Sequence, residues 1–268
     1  MSTLFTGISE LRTVSERGTL NDAAIIAQSG TIAWVGPASE APAADEKVDL
    51  GGRAVLPGWV DSHTHMVFDG DRSAEFEARI SGGSYEAGGI AVTMDATRQA
   101  GTDRLDKLVA DRVAAGRRGG TTTFETKTGY GLNTESEVEA AKVASRHVDD
   151  VTFLGAHLVP PGADAEEYLD EVVGPMLEGV APYVQWIDVF CERGAFNEEQ
   201  SRRVLEAGKK LGLGLRVHGN QLGEGPGVAL AVELGAASVD HVNHLTDEDV
   251  ELLANSDTVA TMLPACDL

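Results

Sequence analysis

The sequence has 268 residues, with 21 Lys and Arg against 43 Asp and Glu and a formal net charge of −22. Phosphate contacts need a basic surface that so acidic a chain lacks, so we expect a small-molecule partner and no nucleic acid. The first residues do not resemble a signal peptide and no apolar run approaches the roughly 18 residues of a membrane helix, which predicts a cytoplasmic protein without a membrane partner.

Residues 1–55 show the pattern of a small β unit. Two short runs of strand-forming residues, 23–28 and 31–35, are separated by the turn formers Ser29 and Gly30. A further break is predicted at Gly36 and Pro37, which follow the second run. We predict that this region is the N-terminal part of a β-sandwich domain.

From residue 56 to residue 268, short apolar runs alternate with longer segments of helical period. This alternation predicts parallel βα units and hence an α/β fold. Asn197 is a predicted cap for a helix over residues 198–211, with Gly212 at its end, and Thr246 is predicted to open the last helix. The predicted strands are 55–65, 121–127, 151–157, 184–191, 214–219, 237–241 and 259–263.

Five of the seven histidines fall at the carboxyl ends of predicted strands. In a (β/α)8 barrel these ends form the active-site face, so five imidazoles from four strands are predicted to converge. Such convergence indicates a metal site, whereas the two cysteines are too few and too far apart for a disulfide framework or a cysteine-based zinc cluster. The five histidines are His63, His65, His157, His218 and His241.

The pair His63 and His65 lies at the end of the first predicted barrel strand, after Pro57 and Gly58. Side chains alternate along a strand, so both imidazoles would share one face with Asp61 and could reach one cation. A His-x-His pair alone is weak evidence, because chance pairs are common. Its position at the end of an apolar strand favours a metal site over a structural role.

Several segments together resemble the imidazolonepropionase family of the metal-dependent amidohydrolase superfamily, and the resemblance spans most of the chain. It implies a (β/α)8 TIM-like amidohydrolase barrel with a small N-terminal β-sandwich unit. It also implies hydrolysis of the ring amide of 4-imidazolone-5-propanoate to N-formimino-L-glutamate in histidine degradation, with one divalent or trivalent metal ion, zinc or iron. The segments are 57–72, 126–132, 153–157, 188–192, 217–222 and 238–241.

The resemblance assigns roles to the histidines. His63, His65 and His218 would be the metal ligands, which suits neutral imidazole nitrogens and either metal. His241 would be catalytic, orienting the nucleophilic water or stabilising developing charge. For His241 an alternative stays open, in which it only orients a neighbouring group.

The substrate implied by the resemblance carries a carboxylate, and four further residues are implied in binding it. Arg72 could grip the propionate through its planar guanidinium, although pairing with Asp69 or Asp71 is an alternative. Tyr130, between two glycines, and His157 would complete the pocket. Gln221 stands where some relatives carry a glutamate; since an amide cannot take a proton, we expect it to contact the substrate ring.

The metal count follows from a further feature of the resemblance. Two-metal amidohydrolases use a bridging lysine on another strand, whereas the end of the fourth strand here reads Cys191 and Glu192. We therefore expect one metal ion and no carbamate on Lys127. Glu192 is a candidate hydrogen-bond acceptor for a ligand histidine.

A closed barrel needs eight strands, and the sequence stops after the seventh predicted one. We therefore expect a chain truncated after barrel strand 7, without the eighth-strand aspartate implied by the resemblance; as a complete chain it would fold poorly or be inactive. Two alternatives are another cyclic-amide hydrolase or deaminase of the superfamily, and an inert metal-binding fragment. Turnover of a panel of substrates tests the first alternative. Metal content measured together with turnover tests the second. Homodimerisation is left open.

Overall fold

The computed structural model describes residues 1–71, 73, 77 and 90–266. The chain divides into two compact units, Met1–Trp59 and the part that begins at Val60. The boundary falls a few residues after the predicted one, which was placed between residues 55 and 56.

The first unit is a four-stranded sheet in the order β3-β2-β1-β4, with β1 antiparallel to β2 and parallel to β4. Ser29 and Gly30 have φ angles of 52° and 78° and form the two-residue turn between β2 and β3, which confirms the predicted turn. The predicted break at Gly36 and Pro37 is wrong, since β3 includes both. β3 is an edge strand, where proline is tolerated. The strands are β1 (Ser2–Arg12), β2 (Thr19–Gln28), β3 (Thr31–Pro37) and β4 (Glu46–Val55).

The second unit is built on a seven-stranded sheet whose strands are neighbours in chain order. The strands from β6 to β11 pair in parallel, as the βα alternation predicts. This order is that of a TIM-like barrel. The strands are β5 (Trp59–Asp61), β6 (Thr121–Lys127), β7 (Asp150–Ala156), β8 (Trp186–Cys191), β9 (Gly214–Gly219), β10 (Ser238–His241) and β11 (Val259–Thr261).

Helices connect these strands, and two of the predicted helix starts are confirmed. Asn197 and Gln200 form a capping box, and so do Thr246 and Asp249. Gly212, with a φ of 81°, follows the first of these helices as predicted. The helices are α1 (Ile90–Ala100), α2 (Thr102–Arg118), α3 (Thr134–Ala144), α4 (Ala165–Glu171), α5 (Leu177–Val180), α6 (Glu198–Lys210), α7 (Gly227–Leu234) and α8 (Asp247–Ala254), with a π turn at Val172–Met176.

The hydrophobic core of the second unit lies between the sheet and these helices, with fully buried side chains such as Phe153, Leu169 and Leu205. Towards the carboxyl ends of the strands, buried charged side chains take the place of apolar ones. Because buried charges are costly unless they are paired, this end of the sheet is where function is expected. Within the described part of the chain, no helix is long and apolar enough to cross a membrane.

Candidate active site

Three histidines predicted as metal ligands lie together at the carboxyl ends of β5 and β9. The ring centroid of His63 lies 5.3 Å from that of His65 and 4.7 Å from that of His218. One nitrogen of each ring lies within 4.8 Å of the others. The first strand is shorter than predicted: β5 ends at Asp61, so the two neighbouring histidines lie on the loop after it.

The nitrogens of this group are suited to a metal ion. Among the described residues, His65 Nδ1 and His218 Nε2 are buried and have no hydrogen-bond partner. Burial and the neighbouring histidines lower the pKa of His65 and of His218 well below the usual value, so both rings stay neutral and keep a lone pair. Buried polar atoms are rarely left unpaired. The three histidines therefore form a candidate site for a divalent metal ion.

Two aspartates that the sequence analysis did not single out for the site orient these histidines. His63 Nδ1 donates to Asp240 Oδ2 over 2.7 Å, and Asp188 Oδ2 lies 2.9 Å from His218 Nδ1. Although burial opposes it, the hydrogen bond from His63 and the charge of Lys127 keep the pKa of Asp240 below its usual range. The hydrogen bond to Asp240 fixes the tautomer of His63 and leaves its Nε2 for a metal. Asp188 lies close to His218 without a hydrogen bond to its ring, so its support is electrostatic.

Glu192 has a role other than the predicted one. Its Oε1 accepts the backbone N–H groups of Gln221 and Leu222, over 2.6 Å and 3.1 Å. Glu192 therefore shapes the turn after β9 instead of supporting a ligand histidine. Gln221, a predicted substrate contact, lies in this turn with a half-buried side chain.

His241 lies beside the candidate ligands. Its ring centroid is 5.3 Å from that of His63 and 5.2 Å from that of His218. The residue ends β10 with a φ of 79°, and Val242 follows with a φ of 49°. Such backbone is strained for residues other than glycine and is typical of functional sites.

Tyr130 and His157 line the other side of His65, with ring centroids 5.7 Å and 5.6 Å from it. His157 Nδ1 donates to the carbonyl of Gly129 over 2.8 Å, so in the neutral ring Nε2 carries no proton. Gly129 has a φ of 108°, and a Cβ there would lie 2.5 Å from the carbonyl oxygen of Leu154. Only glycine permits this close approach.

The structure does not describe Arg72, the predicted ligand of the propionate, which lies outside the described residues. The two acids considered as its partners have other contacts. Asp69 forms an ion pair with Arg104, and Asp71 Oδ1 accepts the N–H of Ser73 over 2.7 Å. Arg112 was not predicted; it donates to the carbonyls of Met66 and Phe68, which hold the loop leading towards position 72.

The loop that carries Tyr130 is held by Glu137, which is fully buried in α3. The Glu137 carboxylate accepts the N–H groups of Gly129, Gly131 and Leu132 over 2.7 to 2.9 Å. The carboxylate therefore supplies the hydrogen-bond acceptor that backbone carbonyls provide in a regular turn. A glutamate eight residues after a glycine loop gives no sequence signal of this role, because the bonds form only once α3 folds back.

Replacing Glu137 by alanine should destabilise the barrel unit. Three buried N–H groups lose their acceptor, and we expect a loss of about 2 to 4 kcal/mol in the free energy of unfolding, measured by urea denaturation. Burial raises the pKa of Glu137, and this cost is relieved in the variant, which limits the loss. Glu139→Ala, in the same helix and 3.9 Å from Lys142 Nζ, is the control and should change little. Equal losses in both variants would contradict the role of Glu137.

The architecture was compared with solved structures. A. niger ochratoxinase superposes with a TM-score of 0.66 at 17% identity, over 97% of this chain and 64% of that one. An atrazine chlorohydrolase from Arthrobacter aurescens, complexed with zinc and atraton, gives a TM-score of 0.63 at 14% identity, over 99% of this chain and 66% of that one. No family model matches the chain. A parallel barrel sheet with histidines converging at the carboxyl ends of its strands is the fold of the amidohydrolases.

Relatives of similar sequence identify the family within the amidohydrolases. The imidazolonepropionase of Arthrobacter sp. (strain FB24) is 63% identical over 279 residues, which cover the whole of this chain and 70% of that protein. The imidazolonepropionase of Saccharopolyspora erythraea is 64% identical over 268 residues, again the whole chain and 69% of that protein. The chain belongs to the imidazolonepropionase family. It is a hydrolase of histidine degradation that acts on a cyclic amide.

Proposed function

We propose that His63, His65 and His218 hold a single zinc or iron ion and that this site cleaves the ring amide of 4-imidazolone-5-propanoate. The observation that carries the proposal is the convergence of three imidazoles, two of which have a carboxylate oxygen within 2.9 Å of Nδ1. Water adds to the ring carbonyl carbon, the bond from this carbon to the ring nitrogen breaks, and the nitrogen takes a proton. The product is N-formimino-L-glutamate.

A bound divalent ion would supply water acidified towards neutral pH and would polarise the ring carbonyl. The remaining chemistry falls to side chains of the chain. His241 is beside the ligand histidines and is the candidate that accepts the proton of the attacking water and passes it to the leaving ring nitrogen. Gln221 cannot take a proton, so we assign it a hydrogen bond to the substrate ring.

Substrate binding is assigned to the residues on the far side of His65. Tyr130 would contact the substrate through its phenolic hydroxyl, and its loop is held by hydrogen bonds to Glu137. His157 would contact it through Nε2, since its Nδ1 is bound to the carbonyl of Gly129. Arg72 is the proposed cation for the propionate, since its fork matches a carboxylate with two hydrogen bonds. These three contacts, with that of Gln221, would orient the ring over the ligand histidines.

The substrate assignment is tested with the purified chain loaded with zinc or iron. We expect turnover of 4-imidazolone-5-propanoate, and poorer turnover of an analogue in which an ethyl group replaces the propionate. Arg72→Ala should raise KM for the propionate substrate about 100-fold, because a charge-assisted pair is lost, with little change for the ethyl analogue.

Arg104→Ala is the matched control, because Arg104 is an exposed arginine that binds Asp69. Its KM should stay near that of the unmodified chain for both compounds. Equal effects of Arg72→Ala on the two compounds would remove the propionate assignment. Bound metal without any turnover would favour an inert metal-binding chain.

A further inference from the structure

Lys127 lies at the carboxyl end of β6 with a side chain that is completely buried. Its Nζ lies 3.0 Å from Glu125 Oε1 and 3.0 Å from Asp188 Oδ2. Asp240 Oδ2 is 3.5 Å away. Three carboxylates thus surround one ammonium group to which the proposed reaction assigns no part.

Two of these carboxylate oxygens also face the candidate metal ligands. Asp188 Oδ2 lies 2.9 Å from His218 Nδ1, and Asp240 Oδ2 lies 2.7 Å from His63 Nδ1. Asp188 Oδ2 and Asp240 Oδ2 therefore each lie close to both the Lys127 ammonium and the imidazole of a candidate ligand. Moving or discharging the ammonium would change the carboxylates that orient both rings.

The same atoms form a second group with the spacing of a cation site. Donor atoms of Asp188, His218 and Asp240 lie within 4.8 Å of one another, and this group shares His218 with the candidate metal ligands. Buried carboxylates need hydrogen-bond donors or positive charge beside them. Since the Lys127 ammonium contacts both aspartates of this group, it already supplies that charge.

We propose that Lys127 is the fixed second cation of this site, which takes the place of a second metal ion beside Asp188 and Asp240 and so limits the site to one metal ion. The proposal rests on metal binding by His63, His65 and His218. In this role Lys127 is a positioning residue, because it acts on the histidines through the two aspartates.

The charges around Lys127 agree with this role. Burial alone lowers the pKa of Lys127, but Asp188, Glu125 and Asp240 outweigh it and raise the pKa above the usual lysine value. The side chain therefore stays an ammonium. Carbamylation would instead add a negative charge to three that are already buried together.

The test is the metal content of Lys127→Ala, which removes the ammonium and leaves room for an ion. Metal-free protein is equilibrated with excess Mn2+, freed of unbound ion by gel filtration and analysed by mass spectrometry. We expect one ion per chain in the unmodified protein and two in Lys127→Ala, with spin coupling between close Mn2+ ions in the electron paramagnetic resonance spectrum. Lys142→Ala, which removes a partly exposed lysine, should bind one.

The outcomes separate the two proposals. An unmodified chain without bound ion would contradict the proposed function, whereas one ion in both the unmodified chain and folded Lys127→Ala would overturn the role of Lys127. Because the variant can fail to fold, the unmodified chain provides a second measurement. Lysine 15Nζ spectra should contain one slowly exchanging ammonium that stays protonated beyond the ordinary lysine range and is missing in Lys127→Met; a neutral amine or a carbamate carbon signal would overturn the proposal.

Discussion

His218→Ala should abolish tight metal retention and, with it, turnover. The variant loses one of the three candidate ligands, whose ring centroid lies 4.7 Å from that of His63 and 5.5 Å from that of His65. Since a metal ion contributes several kcal/mol to stabilising the transition state, we expect kcat/KM to fall by more than about 1000-fold. Metal content after dialysis and turnover of 4-imidazolone-5-propanoate are measured together.

His147→Ala is the control for this variant. His147 is a partly exposed histidine whose Nε2 lies 3.0 Å from Asp106 Oδ1 in α2, and it is not one of the candidate ligands. It should keep both metal and activity. A His218→Ala chain that retains its full metal content after dialysis would count decisively against the ligand assignment, whatever its activity.

The sequence predicted the place of the site well, because strand ends carry a strong signal. A strand is present at each of the seven predicted places, those from β6 to β11 pair in parallel, and His63, His65 and His218 lie together at the strand ends. Helix starts at Asn197 and Thr246 were also predictable, because capping is local chemistry that needs no tertiary contact. The predictions for the end of the first barrel strand and for the role of Glu192 were wrong, because both depend on contacts between residues far apart in the chain.

The residues that surround the candidate ligand histidines could not be predicted from the sequence in this way. Asp188 and Asp240 lie inside predicted strands, where a charged residue gives no indication of its partner until neighbouring strands are placed. Glu192 was chosen for its position after β8, yet the turn at Gln221 competes for its carboxylate. The alternation rule extended the first strand to His65, whereas β5 ends at Asp61 and the loop itself turns both rings inward.

Another consequence of the buried histidines is a pH-dependent stability of the metal-free chain. His65 and His218 have pKa values well below the usual 6.5 in the folded protein, chiefly because of burial. Below about pH 6.5 the unfolded chain binds protons that the folded chain does not, so stability falls as the pH falls. Two such groups give a slope of up to about 2.7 kcal/mol per pH unit in the free energy of unfolding.

The measurement is urea denaturation of chelator-treated protein between pH 7.5 and about 5, a window above the usual range of carboxyl titration. Burial raises the pKa of Glu137, so the slope is judged by comparing variants that all keep Glu137. Asp240 does not disturb this window: its folded pKa is lowered, so its stabilising contribution is lost only below about pH 4. A variant with His65→Asn and His218→Asn should lose most of the slope, whereas His147→Asn should keep it. Loading the chain with metal should raise stability most near neutral pH, because a ligand imidazole must be neutral. A slope that persists in the double variant would show that the two histidines titrate normally, and the argument for neutral ligand nitrogens would fail with it.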